Sequence, residues 1–192
     1  MVSGWPSIIT GVAYSLINLF FGLATGEKKT YRTWSAFFIV LALSAGLAVI
    51  YQEFNRFHGQ AFLILLTTAA TAGSFLFLAA NMTVAKPNWK WLHWIWPLMG
   101  LLGLLTGGSL ATLPNYYSVT VTWTCLILSV LILQKAANKS VRNWICGGVV
   151  VKVASVLAIN IIHGSGWMGP MALEHALQIG SSFCFWAGAR KT

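Results

Sequence analysis

Glu174, His175 and Gln178 fall within five consecutive positions of the last apolar stretch, about Trp167–Ala187, and Lys152 interrupts the apolar stretch before it. These residue types can do specific chemistry. A carboxylate and an imidazole can ligate zinc or move a proton. An ammonium can neutralise a carboxylate, hold an anionic headgroup or form a Schiff base. Glu174 and Gln178 are four apart and His175 and Gln178 three apart, so they share one side of a helix. Glu174 and His175 are adjacent and point about 100° apart, which does not suit a single metal ion. A lysine in the middle of an apolar helix costs on the order of 3 kcal/mol on insertion scales, so it is expected to face a bundle interior and find a partner. Lys152 lies ten residues from Arg142 and eleven from His163. Glu174 is about one helical turn shallower on the next helix, and a Lys152–Glu174 pair is expected, fixing helix register.

The elements that position these groups follow from composition. Of 192 residues, 57% are hydrophobic and 8% charged, and there is no Asp. A soluble domain carries about a quarter charged residues, so nearly all of this chain is expected in lipid. The net charge of +9 does not point to nucleic acid, because the basic residues sit in short loops between apolar runs. Cys125, Cys146 and Cys184 fall inside apolar runs and read as packing residues. Met1–Pro6 lacks a basic region and a cleavage pattern, so the first run reads as a retained span.

The hydropathy pattern predicts an all-α polytopic membrane protein, one domain over residues 1–192, with seven spans. They run at about Ser7–Ala24, Thr33–Tyr51, Gln60–Asn81, Trp91–Gly108, Tyr116–Leu133, Val141–Ile162 and Trp167–Ala187. Gly100, Gly103, Gly107 and Gly108 weaken the fourth as a helix and mark it for close helix contact. One set of loops and the tail hold Lys28, Lys29, Arg32, Lys86, Lys90, Lys135, Lys139, Arg142, Arg190 and Lys191; the other set holds Arg56. By the positive-inside rule the N-terminus is expected outside the cytoplasm and the C-terminus inside, which requires an odd number of spans. Trp5, Trp89, Trp91, Trp94, Trp96 and Trp167 read as an interfacial belt, and His93 and His58 as interfacial or loop residues.

This topology puts the polar residues at similar depth, toward the outer side. His175 lies roughly 12 Å along its helix, too deep for loop water, and must find partners within the bundle. Gln178, Asn160 and His163, with Gln52 and Glu53 from the end of the second span, are the candidates at that depth. The expectation is a polar cluster of His175, Glu174, Gln178, Lys152, Asn160, His163, Gln52 and Glu53, in a cavity bounded by the second, sixth and seventh helices.

The stretch Met171–Gln178, with the seven-span topology, resembles the last helix of the CREST superfamily, which includes the alkaline ceramidases and bacterial relatives. That helix carries two histidines four residues apart; His175 matches the second, and Met171 stands at the first. The family's second helix ends with a serine and, four residues on, a histidine. The comparable stretch Gly46–Glu53 has no histidine, Ser44 lies further back, and the family's third-helix Asp has no counterpart. The resemblance implies a zinc-dependent membrane lipid hydrolase, a ceramidase-like amidase. His58 and Glu174 are possible donors, and His175, His163 and Glu53 would hold the zinc. Against that stands a non-catalytic protein of the plasma membrane or another energy-transducing membrane. It would be a lipid- or small-ligand-binding bundle, or an accessory subunit of a larger membrane complex, with membrane lipids and other membrane subunits as partners.

Overall fold

A computed structural model describes residues 5–26, 31–53, 60–113, 116–161 and 170–192. Among them are seven α-helices: α1 Trp5–Gly26, α2 Arg32–Glu53, α3 Gln60–Ala85, α4 Trp96–Leu110, α5 Tyr116–Leu133, α6 Lys139–Ile161 and α7 Pro170–Ala189. A 3₁₀ turn, Lys90–Trp94, precedes α4. A helix occupies each of the seven expected stretches, with shifted limits. α3 extends to Ala85, and α4 begins at Trp96 rather than Trp91, because Pro97 is suited to a first helical turn and the residues before it coil tightly. α6 starts where the Asn138 side chain accepts the backbone N–H groups of Ser140 and Val141, an N-cap.

Six helices form a ring in the order α1, α2, α3, α5, α6, α7, and α4 lies outside it against α3. The α5–α6 seam is the thinnest. The α3–α4 crossing explains two of the four glycines. A Cβ on Gly103 would sit 2.5 Å from the Ala72 Cα, and one on Gly107 2.6 Å from the Thr68 Cα. Here backbone meets backbone, as small residues four apart allow. Gly108 meets nothing within 4 Å and Gly100 nothing nearer than the Leu76 side chain at 3.8 Å, so the expectation of close contact fails at those two.

Several hydroxyls and amides within the helices return their hydrogens to their own backbone. Thr25 donates to the Phe21 carbonyl, Thr71 to Thr67, Asn18 to Tyr14 and Asn81 to Phe77. That is the local solution open to a polar side chain with no water beside it.

Arg32, Lys86, Lys90, Lys135, Lys139, Arg142, Arg190 and Lys191 gather at one end of the bundle, the basic end, where α1, α3, α5 and α7 finish. The core is concentrated in that half and is aromatic. Phe21 stacks on Trp186 at 4.8 Å, Trp34 meets Phe77 edge-on at 6.0 Å, and Phe38 is fully buried among them. The outward surface is apolar, with Ile9, Leu16, Phe20, Leu43, Ile127 and Val150 all exposed. Among the described residues four helices are long and apolar enough to cross a membrane: Trp5–Gly26, Arg32–Tyr51, Leu63–Ala85 and Lys139–Ala158.

Candidate functional site

The ring encloses a cavity of about 290 Å³, reached by side chains from all six of its helices. Its end toward the basic half is floored by three phenylalanines from three helices. Phe77 lies 4.8 Å from Phe185 and 5.2 Å from Phe37, and Phe37 lies 6.1 Å from Phe185, centroid to centroid. All three also belong to the aromatic core, so the floor is continuous with the most tightly packed part of the molecule. Above it the walls are Leu41, Ala45, Leu126 and Gly73, relieved by Ser44, Ser74 and Thr122.

The polar groups enter from α1, α6 and α7. Glu174 accepts a hydrogen bond from the Gln178 amide one turn on, as the four-residue spacing allows. Lys152 projects from α6 with its ammonium 5.8 Å from the centre of the Tyr14 ring. Lys152 and Glu174 act on one another electrostatically, but no direct ion pair joins them. The expected pair is thus two neighbouring charges on one cavity wall: the carboxylate turns along its own helix to Gln178, and the ammonium settles over an aromatic face, a favourable seat for a cation. The Tyr14 hydroxyl adjoins Ser182 and lies within the field of Glu174.

His175 is buried, 7% exposed, and its ring lies nearly parallel to Tyr14 at 6.4 Å. Its hydrogen-bond partners among the described residues are on α1. Nδ1 donates to the Ser7 carbonyl at 3.2 Å, and the Thr10 hydroxyl lies 3.3 Å from the same nitrogen. The Thr10 hydrogen is directed at the carbonyls of Pro6 and Ser7, so its oxygen is the acceptor. These bonds assign the proton to Nδ1. Nε2 is then an acceptor with no partner among the described residues, on a side chain that lines the cavity. His175 therefore ties α7 to α1. The approach is possible because Gly11 has no side chain: a Cβ there would lie 3.0 Å from His175 Cε1.

The structure brings Glu174, His175, Gln178 and Lys152 to one cavity. The side chains of Gln52, Glu53 and Asn160, and all of His58 and His163, lie outside the described residues. The cavity is bounded by α1, α3 and α5 as well as the expected α2, α6 and α7. Among the described residues no three of His, Cys, Asp and Glu gather as a metal site; of the candidate zinc donors only Glu174 and His175 have described side chains. Tyr14, Ser7, Thr10, Ser182 and Cys125 were not foreseen as site residues. A signal for the first two existed. The buried face of α1 is the stripe Ser7, Gly11, Tyr14, Asn18, Phe21, Gly22 and Thr25, polar and small residues at helical spacing, whereas Leu16, Phe20 and Leu23 point out.

These features define a class: an all-helical bundle with an apolar exterior, several helices of membrane-spanning length and an internal cavity with polar groups on one side. Residues 7–192 match a family of unknown function, DUF6962, and the chain belongs to that family. No curated protein and no solved structure matches it.

Proposed function

We propose that this chain is a seven-span integral membrane protein that binds a small amphiphilic ligand in its central cavity without transforming it, alone or as a subunit of a larger membrane complex. The N-terminus lies outside the cytoplasm and the basic end faces the cytoplasm. The gathering of cations at one end supports that orientation. So does their seating on indoles: Lys86 lies over Trp89 at 5.7 Å, Arg190 over Trp186 at 4.9 Å and Lys191 over Trp144 at 5.4 Å. Cations and tryptophans belong together at an interface. α4 has 15 residues and α5 has 18, and each spans with help from its flanking turns.

The observation that carries the binding reading is the cavity's two-part lining. A hydrocarbon moiety fits the Leu41, Ala45 and Leu126 walls, and an anionic or hydrogen-bonding head meets Lys152, whose ammonium has no ion pair of its own among the described residues. A mostly apolar hollow with a few convergent polar groups is the general form of a small-molecule site. Binding without chemistry is favoured because no nucleophile meets a base among the described residues. Cys125 lines the cavity, but no hydrogen bond joins its thiol to the His175 imidazole, whose described bonds go to Ser7 and Thr10.

The test is extraction and mass spectrometry of protein purified in mild detergent. One small amphiphile should co-purify near stoichiometrically, and Lys152→Met should retain it at least ten-fold less. An empty wild-type protein, or equal retention by the variant, defeats the reading.

A second reading is a ceramidase-like zinc hydrolase. One observation favours it: an imidazole held through Nδ1 by a carbonyl and presenting Nε2 is the arrangement a metal-bound histidine takes. It requires His163 and Glu53 to complete the ligand set. Stoichiometric zinc in purified protein, lost in His175→Ala, would establish it.

A further inference from the structure

A second hollow, about 560 Å³, lies on the outer surface of the bundle between α2, α3 and α4. It exists because α4 packs on α3 through Gly103 and stands clear of α2. Its walls are apolar: Ile39 and Val40 from α2, Leu76 from α3, Leu101 and Leu104 from α4. At the basic end its rim carries one charge, Arg32, whose guanidinium rests 5.4 Å from the centre of the Trp94 ring and meets no carboxylate among the described residues. Lys86, Arg190 and Lys191 also lie over indoles, but none of them lines this groove.

We infer that this groove seats one acyl chain of an anionic phospholipid from the leaflet at the basic end, with the lipid phosphate on Arg32. Three features fit. The charge is complementary, and a guanidinium presents paired donors to phosphate oxygens. Trp94 holds the guanidinium over its ring, so less freedom is lost when a headgroup arrives. The groove also has the depth of one leaflet: Trp96 to Leu104 rises about 12 Å along α4, against roughly 15 Å for half the hydrocarbon core. The phosphate at the rim and the chain along α4 therefore match a lipid standing in its own layer. Which leaflet that is rests on the topology proposed above; the groove and its preference for negative charge do not.

Native mass spectrometry of the full chain in dodecyl maltoside provides the test, with phosphatidylglycerol and phosphatidylcholine of identical acyl chains as probes. The wild-type protein should retain one phosphatidylglycerol with at least a roughly five-fold preference, the scale of one basic residue at a charged surface. Arg32→Met should bring its retention down to that of phosphatidylcholine. Gly100→Leu should lower retention of both lipids, because a Cβ there meets nothing nearer than 3.8 Å and the leucine fills the groove. Replacing a helical glycine also favours folding, so lipid loss at an undiminished melting temperature is not unfolding. Equal retention of the two lipids by the wild type overturns the inference. So does undiminished phosphatidylglycerol in both variants. Loss on Lys152→Met but not Arg32→Met also overturns it, by placing the lipid in the central cavity and leaving the binding reading of that cavity intact.

Discussion

Gly11→Ala and His175→Ala should not add. In the wild type the imidazole of His175 lies against the α1 backbone where Gly11 leaves room, and a Cβ there would sit 3.0 Å from Cε1 and 3.3 Å from Nδ1. It would press still more closely on a methyl of Val49, a buried β-branched side chain with little rotamer freedom in a helix. Overpacking of this kind costs about 1–3 kcal/mol, and alanine regains up to about 1 kcal/mol over glycine in a helix. Gly11→Ala alone should therefore lose about 1 kcal/mol. His175→Ala removes the bond to the Ser7 carbonyl, about 1 kcal/mol or somewhat less in a membrane. It also removes the parallel contact with Tyr14, about 0.5–1.5 kcal/mol, and leaves a small void. About 2–3 kcal/mol is expected in all. In the double variant the new methyl no longer meets the ring, so that part of the steric term is lost while the press on Val49 and the helix gain remain. The double should be more stable than the sum of the singles by about 1 kcal/mol, beyond the roughly 0.3–0.5 kcal/mol within which distant sites add. Reversible unfolding in dodecyl maltoside micelles with rising dodecyl sulfate measures all four corners of the cycle. Additivity would refute the docking of His175 on α1.

Three further outcomes are expected. Gly103→Ala should lose about 1–2 kcal/mol, since its Cβ meets the Ala72 backbone, while Gly108→Ala, facing open space, should be neutral or gain up to about 1 kcal/mol; equal melting temperatures would contradict the α3–α4 crossing. Glu174→Gln and Lys152→Met should show a coupling of about 0.5–1 kcal/mol in a double-mutant cycle, less than a direct buried pair would give, because Gln178 holds the carboxylate; a coupling above about 3 kcal/mol would point to a direct pair. In a cysteine-free background, Ala137→Cys between α5 and α6 should react with a membrane-impermeant maleimide only after the cell is opened; labelling of intact cells would reverse the topology.

Depth along each helix was legible in the sequence, and direction around it was not. Helical rise places Lys152, Glu174 and Gln178 at comparable levels, and the cost of ionisable groups in hydrocarbon turns them inward; both arguments need only the chain itself. Which helix faces His175 depends on how the ring closes. The α7–α1 contact joins residues 165 positions apart, and no local pattern announces it. The clue was in α1, whose outward face is Leu16, Phe20 and Leu23 and whose buried face is the polar one, the reverse of a soluble amphipathic helix. The glycines of α4 show the same limit. Their number signals a close crossing, but only the partner's backbone decides that Gly103 and Gly107 make it while Gly100 opens onto a groove.

The three-phenylalanine floor has a kinetic consequence. Phe37, Phe77 and Phe185 come from α2, α3 and α7, and each is locked into the aromatic core behind it. Parting them would unpack that core, so a solute in the hollow has no route through the floor toward the basic end. Under the proposed binding reading the hollow is a dead-end berth: flux assays across a vesicle wall should read zero at any concentration, and dwell time should depend on how slowly Lys152 and the apolar walls let go.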